Sequence, residues 1–273
     1  MPGVDVELLN TTIADLEKVA REAVLLVPQY RSVLAYSGGI DSSLLATLEQ
    51  DAGIKAKLLT LGLEKSSDVS SVSTRVQSSA GADLIVRPLI RDRVERAAKH
   101  VSELVDVSSL SHLEDCIAFW LISEHAHTLS HVNYLVSANG PDELFCGYDR
   151  FRRILDSAGY DAVDKEIARA LVIADDLGRQ VKSVVSHFGL GMVEPFLNHK
   201  FRSRAIKIPS EYKILPGNDL LRKRIWRCLG RSLSLPEQIV MRPKKAMQYG
   251  MGIHGIVSAM IKRGDLKFET TRI

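Results

Sequence analysis

Four short apolar runs, SVLAY at 32–36, AKLLTL at 56–61, LIVRP at 84–88 and YLVSA at 134–138, alternate along the first half of the chain with stretches of helical spacing at 42–51, 66–80, 91–105 and 112–129. A strand buried on both faces reads as an unbroken apolar run, and joining parallel strands takes a crossover of a dozen residues or more, usually a helix. The alternation therefore predicts an α/β fold, a parallel twisted sheet with helices on both faces. Right-handed crossovers gather the loops after the strands at one edge, where such sheets bind ligands. Segment 5–27 also has helical spacing, with Val6, Leu9, Ile13, Leu16 and Val19/Ala20 on one side. Beyond about residue 149 the pattern is mostly helical, so the expected organisation is an α/β half at 1–148 and a helical half at 149–273.

Composition removes several classes. The longest apolar runs, such as AVLLV at 23–27, fall far short of the roughly 20 residues a membrane span requires. The opening Met1-Pro2-Gly3-Val4-Asp5 lacks the basic start and apolar core of a secretory signal, so a cytoplasmic setting is expected. Cys116, Cys146 and Cys228 are odd in number and far apart, which argues against a disulfide framework or a thiolate zinc site. His112, His125, His127 and His131 fall at mixed spacings and read as surface or half-buried side chains. Charge is divided unevenly. From residue 151 onward there are 23 Lys+Arg against 12 Asp+Glu, whereas the first 150 residues carry 13 against 21. The second half should therefore face something anionic.

The first apolar run leads directly into SGGIDSS at 37–43. Paired glycines allow positive φ and let backbone N–H groups approach a ligand closely. Ser37, Ser42 and Ser43 add hydroxyl donors, and the following helix aims its positive end into the turn, which makes a phosphate cradle. Neither G-x-x-x-x-G-K-[ST] nor G-x-G-x-x-G is present. Asp41 would repel phosphate unless Mg²⁺ bridged the two, as magnesium does through one or two carboxylates plus substrate phosphates.

SGGIDSS resembles the PP-loop of the ATP pyrophosphatases, which bind the pyrophosphate of ATP and activate a substrate oxygen as an adenylate. VSANGPDELFCGYDRF at 136–151 is similar to the G-E-G-[SA]-D-E-x-F-x-G-Y segment of the asparagine synthetase family. VEPFLNHKF resembles that family's R-x-P-F-L-D segment, KIPSEYK the segment that follows it, and LPEQIVMRPKKAMQYGMG its closing L-P-x-x-i-x-x-R-x-K segment. The likeness spans about 31–252 and covers the synthetase half of that family only.

Carried over position by position, the resemblance implies a fold like the adenine nucleotide alpha hydrolases and ATP contacts at Ser37, Gly38, Gly39, Asp41, Ser42, Leu61 and Gly140. It implies Mg²⁺ held by Asp41 and Asp142, and substrate-side positions at Asn139, Glu143 and Arg242. Lys244 matches the lysine that stabilises charge as an acyl-adenylate forms and breaks down, and Lys223 a second phosphate-contacting lysine. Cys146 stands at a small-residue position and reads as packing.

Three departures fall on the substrate side. Asn139 stands where the synthetases have glutamate and β-lactam-forming relatives have tyrosine, and an amide cannot accept a proton as those groups can. Val193 and Asn198 replace the arginine and aspartate of R-x-P-F-L-D. Pro2 stands where a glutaminase domain would carry its cysteine, so nitrogen is expected from free ammonia, an amine or a separate glutaminase subunit. The expected activity is ATP-dependent activation of a small-molecule carboxylate, followed by transfer to that nitrogen. A tRNA- or sulfur-directed PP-loop enzyme and a non-catalytic ATP-binding homologue are the alternatives. The missing C-x-x-C counts against nucleic acid, and a homo-oligomer is compatible with everything above.

Overall fold

Alternate residues of one strand serve two different cores. In β1 (Ser32–Ala35), Leu34 packs into an apolar cluster on one side of the sheet and Val33 into a second cluster on the other. Leu58 and Leu59 of β2 (Lys57–Leu63) and Val136 and Leu135 of β4 (Tyr134–Val136) divide the same way. This is the period of two expected when both faces are covered, and it explains why the runs are predominantly apolar. The computed structural model describes residues 6–64, 66, 68, 69, 83–217 and 219–268. β3 (Leu84–Leu89) and β5 (Gly191–Val193) complete a parallel sheet ordered β3-β2-β1-β4-β5. Register pairs Val33 with Lys57 on one side of β1 and Leu34 with Val136 on the other. The expected parallel α/β fold is the observed one.

The first cluster is covered by α1 (Val6–Val24) and α2 (Ile40–Asp51), through Leu16, Val19 and Ala20 of one and Leu44, Leu45 and Leu48 of the other. The second is covered by α3 (Arg91–Leu104) and α4 (Leu110–His127). After the short α5 (Pro141–Leu144) and α6 (Asp149–Ala158) comes α7 (Tyr160–Ser186), which serves both sides. Val163, Ile167, Ala170 and Leu171 of α7 join the first cluster, and Val181, Val184 and Val185 the second. The chain continues through α8 (His199–Ile206), α9 (Arg224–Ser232), α10 (Glu237–Val240), α11 (Met247–Gly250) and α12 (His254–Arg263). No helix among the described residues is long and apolar enough to cross a membrane.

Three local readings change. The helix expected at 112–129 begins at Leu110, because the Ser109 side chain accepts a hydrogen bond from His112 N and caps it two residues early. The acidic pair after β4, expected in a loop, opens the single-turn α5, where Gly140 turns the chain at φ 114° and Pro141 presets the first helical residue. β5 was not foreseen, since three residues are too few to display a period. The helix expected at 66–80 lies almost wholly outside the described residues.

The order β3-β2-β1-β4-β5 reverses direction between β1 and β4. The loops after these two strands therefore diverge at the carboxyl edge and leave a crevice between them, where open α/β sheets bind ligands.

Candidate active site

A cavity of about 570 Å³ occupies that crevice, within the usual size of a small-molecule site. Ser37 and Gly39 line it from the loop after β1, Asp41 and Ser42 from the first turn of α2, Leu61 from β2, Asn139 and Gly140 from the loop after β4, and Asp142 and Glu143 from α5. Lys223, Arg242 and Lys244 line it from the second half of the chain. Gly38 does not line the cavity but supplies the turn, at φ 65°; Ser43, Cys146, Val193 and Asn198 do not line it either. Gly39 has an ordinary φ of −80°, so its requirement is space rather than positive φ: a Cβ there would stand 3.2 Å from Ser37 Oγ. Ser42 Oγ meets Ser37 N at 3.3 Å and donates to Gly39 O at 3.2 Å, which holds the loop folded back over the start of α2.

Three charged segments meet on one atom. Lys223 Nζ lies 2.6 Å from Asp41 Oδ2 and 2.7 Å from Asp142 Oδ1, joining the loop after β1 to the loop after β4. Lys244 Nζ pairs with the other oxygen of Asp142. The free oxygen of Asp41 accepts from Trp226 Nε1 at 2.9 Å. Lys223 is 1% exposed, an arrangement tolerable only because two carboxylates surround its ammonium. Burial alone would raise Asp142, but Lys223 and Lys244 outweigh it and hold its acid well below the usual carboxylate range. By the same attraction, working against burial, Lys244 is held above the ordinary lysine value.

Each lysine has its own support. Arg222 and Lys223 both adopt φ 51°, an uncommon conformation for long side chains. Asp219 fixes this turn by accepting from Arg222 N at 3.1 Å and Arg224 Nε at 2.7 Å, and Arg222 Nε donates to Gly147 O at 2.9 Å. Arg227 donates to Leu221 O, Arg222 O, Val240 O and Arg242 O, tying the strand of chain that bears Lys223 to the one that bears Lys244. Arg242 itself donates to Ser37 O at 3.0 Å and pairs with the buried Asp68 at 3.2 Å. Its guanidinium is thus placed against the first loop.

On the other side of the cavity, Tyr148 OH donates to Glu143 Oε1 at 2.5 Å. Burial and the neighbouring Asp142 push the Glu143 acid up to about 7, and burial does the same for Asp115. Asn139 Nδ2 donates to Glu194 Oε1 at 3.0 Å. The Cys146 thiol is buried and pushed up to about 12 by that burial, as suits packing and not nucleophilic attack. His112 lines the cavity; His125, His127 and His131 do not. Among the described residues, no group of three or more His, Cys, Asp or Glu could hold a metal.

The family model for asparagine synthase matches residues 32–170 and 156–264, most of the chain and every segment of the cavity just described. The chain belongs to the asparagine synthase family. It is 26% identical over 256 residues to the glutamine-hydrolysing asparagine synthetase of Gallus gallus, covering 91% of this chain and 45% of that protein. It is 28% identical over 258 residues to a putative glutamine-hydrolysing asparagine synthetase of Methanocaldococcus jannaschii, covering 83% and 47%. The Homo sapiens asparagine synthetase is 26% identical over 256 residues, covering 92% and 45%. The chain thus spans less than half the length of these curated relatives.

Within this member of the family, sequence reasoning overlooked Asp68, Trp226, Arg227 and Glu194. Asp68 and Trp226 act through contacts made across 174 and 185 residues, which no local pattern discloses, and Arg227 through backbone carbonyls brought to it by the turns around it. Glu194 stood inside a quoted segment, VEPFLNHKF, and its acidic character beside a missing arginine was a readable signal.

Proposed function

We propose that the chain is an ATP-dependent, amide-forming ligase. It activates a small-molecule carboxylate as an acyl-adenylate with release of pyrophosphate, then passes the acyl group to ammonia or an amine. The observation that carries this reading is the convergence of Asp41, Asp142, Lys223 and Lys244 on one cavity from four separate segments. Family membership supports ATP as the co-substrate.

Backbone N–H groups and serine hydroxyls at the start of α2 suit the departing pyrophosphate. Lys223 and Lys244 are pre-placed cations in a largely enclosed site, where charge developing on phosphorus oxygens is stabilised far more than in water. Each must turn from carboxylate to phosphate as the nucleotide enters. A divalent ion fits the carboxylates on one observation: a single ammonium already sits within 2.7 Å of both Asp41 and Asp142, so the pair is spaced to share a cation. Magnesium held there would neutralise phosphate charge. Leu61 and Gly140 offer an apolar wall and a close backbone approach for the nucleotide.

The acid and the nitrogen source are small molecules, with a separate glutaminase subunit as one route for nitrogen. The three free cysteines support a reducing, cytoplasmic setting.

The test is pyrophosphate release with Mg-ATP and a panel of carboxylic acids and amines. Wild type should release pyrophosphate with at least one acid, and Lys244→Met should lower that rate by roughly 10²–10³-fold. Absence of release across the panel would remove the proposal.

A further inference from the structure

Glu194 is a carboxylate of the cavity that the ATP-side chemistry does not use. It follows β5 and has a side chain only 5% exposed. Its Oε1 accepts from Asn139 Nδ2 at 3.0 Å, and its Oε2 lies 3.5 Å from Lys182 Nζ on α7. Most other acids around the cavity are paired: Asp41 and Asp142 with lysines, Asp68 with Arg242, Glu143 with Tyr148, and Glu114 with His254 at 2.8 Å; Asp115 also lines it and is the rival carboxylate.

A carboxylate only accepts hydrogen bonds, so the Asn139 amide must turn its NH₂ toward Glu194. Its Oδ1 is then the free branch, engaged by no hydrogen bond among the described residues. The loop cannot drift from this position, because Gly140 is so close to the segment after β5 that a Cβ would stand 2.9 Å from Phe196 O. An acid at position 139 would set two carboxylates side by side in a nearly dry wall; the amide avoids that repulsion.

We propose that Glu194 is the proton acceptor for the incoming nitrogen, and that Asn139 is a positioning residue that orients Glu194 and offers Oδ1 to an N–H of the same nucleophile. The inference rests on the acyl-transfer reading above. In the step, the nitrogen lone pair forms the C–N bond and the acyl carbon–oxygen bond to AMP breaks. AMP leaves with that electron pair, and the surplus proton on nitrogen passes to a Glu194 oxygen. The subsite therefore suits ammonia or a primary amine.

The experiment separates the two half-reactions. ATP–pyrophosphate exchange reports adenylation, and amide formation with ammonium chloride reports transfer, using an acid that supports exchange in wild type. Glu194→Gln should keep exchange within about threefold and lose transfer by roughly 10²–10⁴-fold, the range for a general base. Asn139→Ala, which keeps the carboxylate, should lose transfer by a smaller factor with exchange intact. In the Glu194→Gln background, Asn139→Glu should restore part of the transfer, whereas Asn139→Glu alone should lower the melting temperature by crowding two carboxylates. Transfer unchanged in Glu194→Gln, or lost instead in Asp115→Asn, overturns the assignment while leaving the adenylation reading intact. Wild type without exchange for any acid overturns both.

Discussion

A methyl group on residue 147 would stand 1.9 Å from Asp142 Oδ1 and 2.3 Å from Lys223 Cε. Glycine here follows from the ion pair: the ammonium of Lys223 reaches Asp142 only by running its methylenes over a bare backbone. Gly147→Ala must push one charge away from the other. The fold should survive, because Arg222, Asp219 and Arg227 hold the surrounding turn independently. Displacement of a charged group by about 1 Å is enough to cost roughly 10²-fold in rate. Pyrophosphate release by Gly147→Ala should fall by about that factor while far-ultraviolet circular dichroism stays unchanged. A variant as active as wild type would show that the Lys223–Asp142 contact does not matter to the chemistry.

At the scale of an element, α2 carries two roles that pull apart. Its first turn holds Asp41 and Ser42 in the cavity; its far end buries Glu49, 2% exposed with neither oxygen hydrogen-bonded. Burial pushes the Glu49 acid up to about 8 from an ordinary value of 4.5. The folded state then binds more protons than the unfolded one between these values, so stability falls as pH rises from about 4.5 through about 8. Below that window the penalty is absent, and above it the penalty is complete. Glu49→Gln should gain little at pH 5 and raise the denaturation midpoint clearly at pH 8, by a few degrees in a thermal scan. Midpoints of both proteins at the two pH values check this; an equal effect at each would mean that Glu49 ionises in the folded protein as it does in water.

Across the whole molecule, the charge division seen in the sequence is resolved largely inside the chain. Lys223, Lys244 and Arg242 from the basic half meet Asp41, Asp142 and Asp68 from the acidic half. Arg227, 3% exposed, is the internal tie that brings these cations in together, through four backbone carbonyls on two segments. Arg227→Met would leave those carbonyls without their donor. It should cost about 3 kcal/mol in urea unfolding, since hydrogen bonds to charged groups are among the stronger ones, and should raise the ATP concentration needed for half-maximal pyrophosphate release. Loss of stability without a change in ATP dependence would confine Arg227 to folding.

The strand–helix alternation was legible because a strand covered on both faces has few positions for polar residues, and Val33 and Leu34 show this by packing into opposite cores. The loop at Ser37–Ser42 was legible from its glycines and serines directly after a strand, and Asp142 and Lys244 from the resemblance of their segments to the asparagine synthetase family. The sequence by itself thus determined a parallel α/β sheet and a glycine- and serine-rich loop at its carboxyl edge. Only the tertiary structure decided that one buried ammonium, Lys223, joins Asp41 to Asp142, that Arg242 supports the first loop, and that Glu194 faces Asn139. Those pairs lie from 55 to 205 residues apart. Local propensity acts over a few neighbours, whereas these contacts exist only once β1, β4 and β5 are laid side by side and the basic half folds back over their ends.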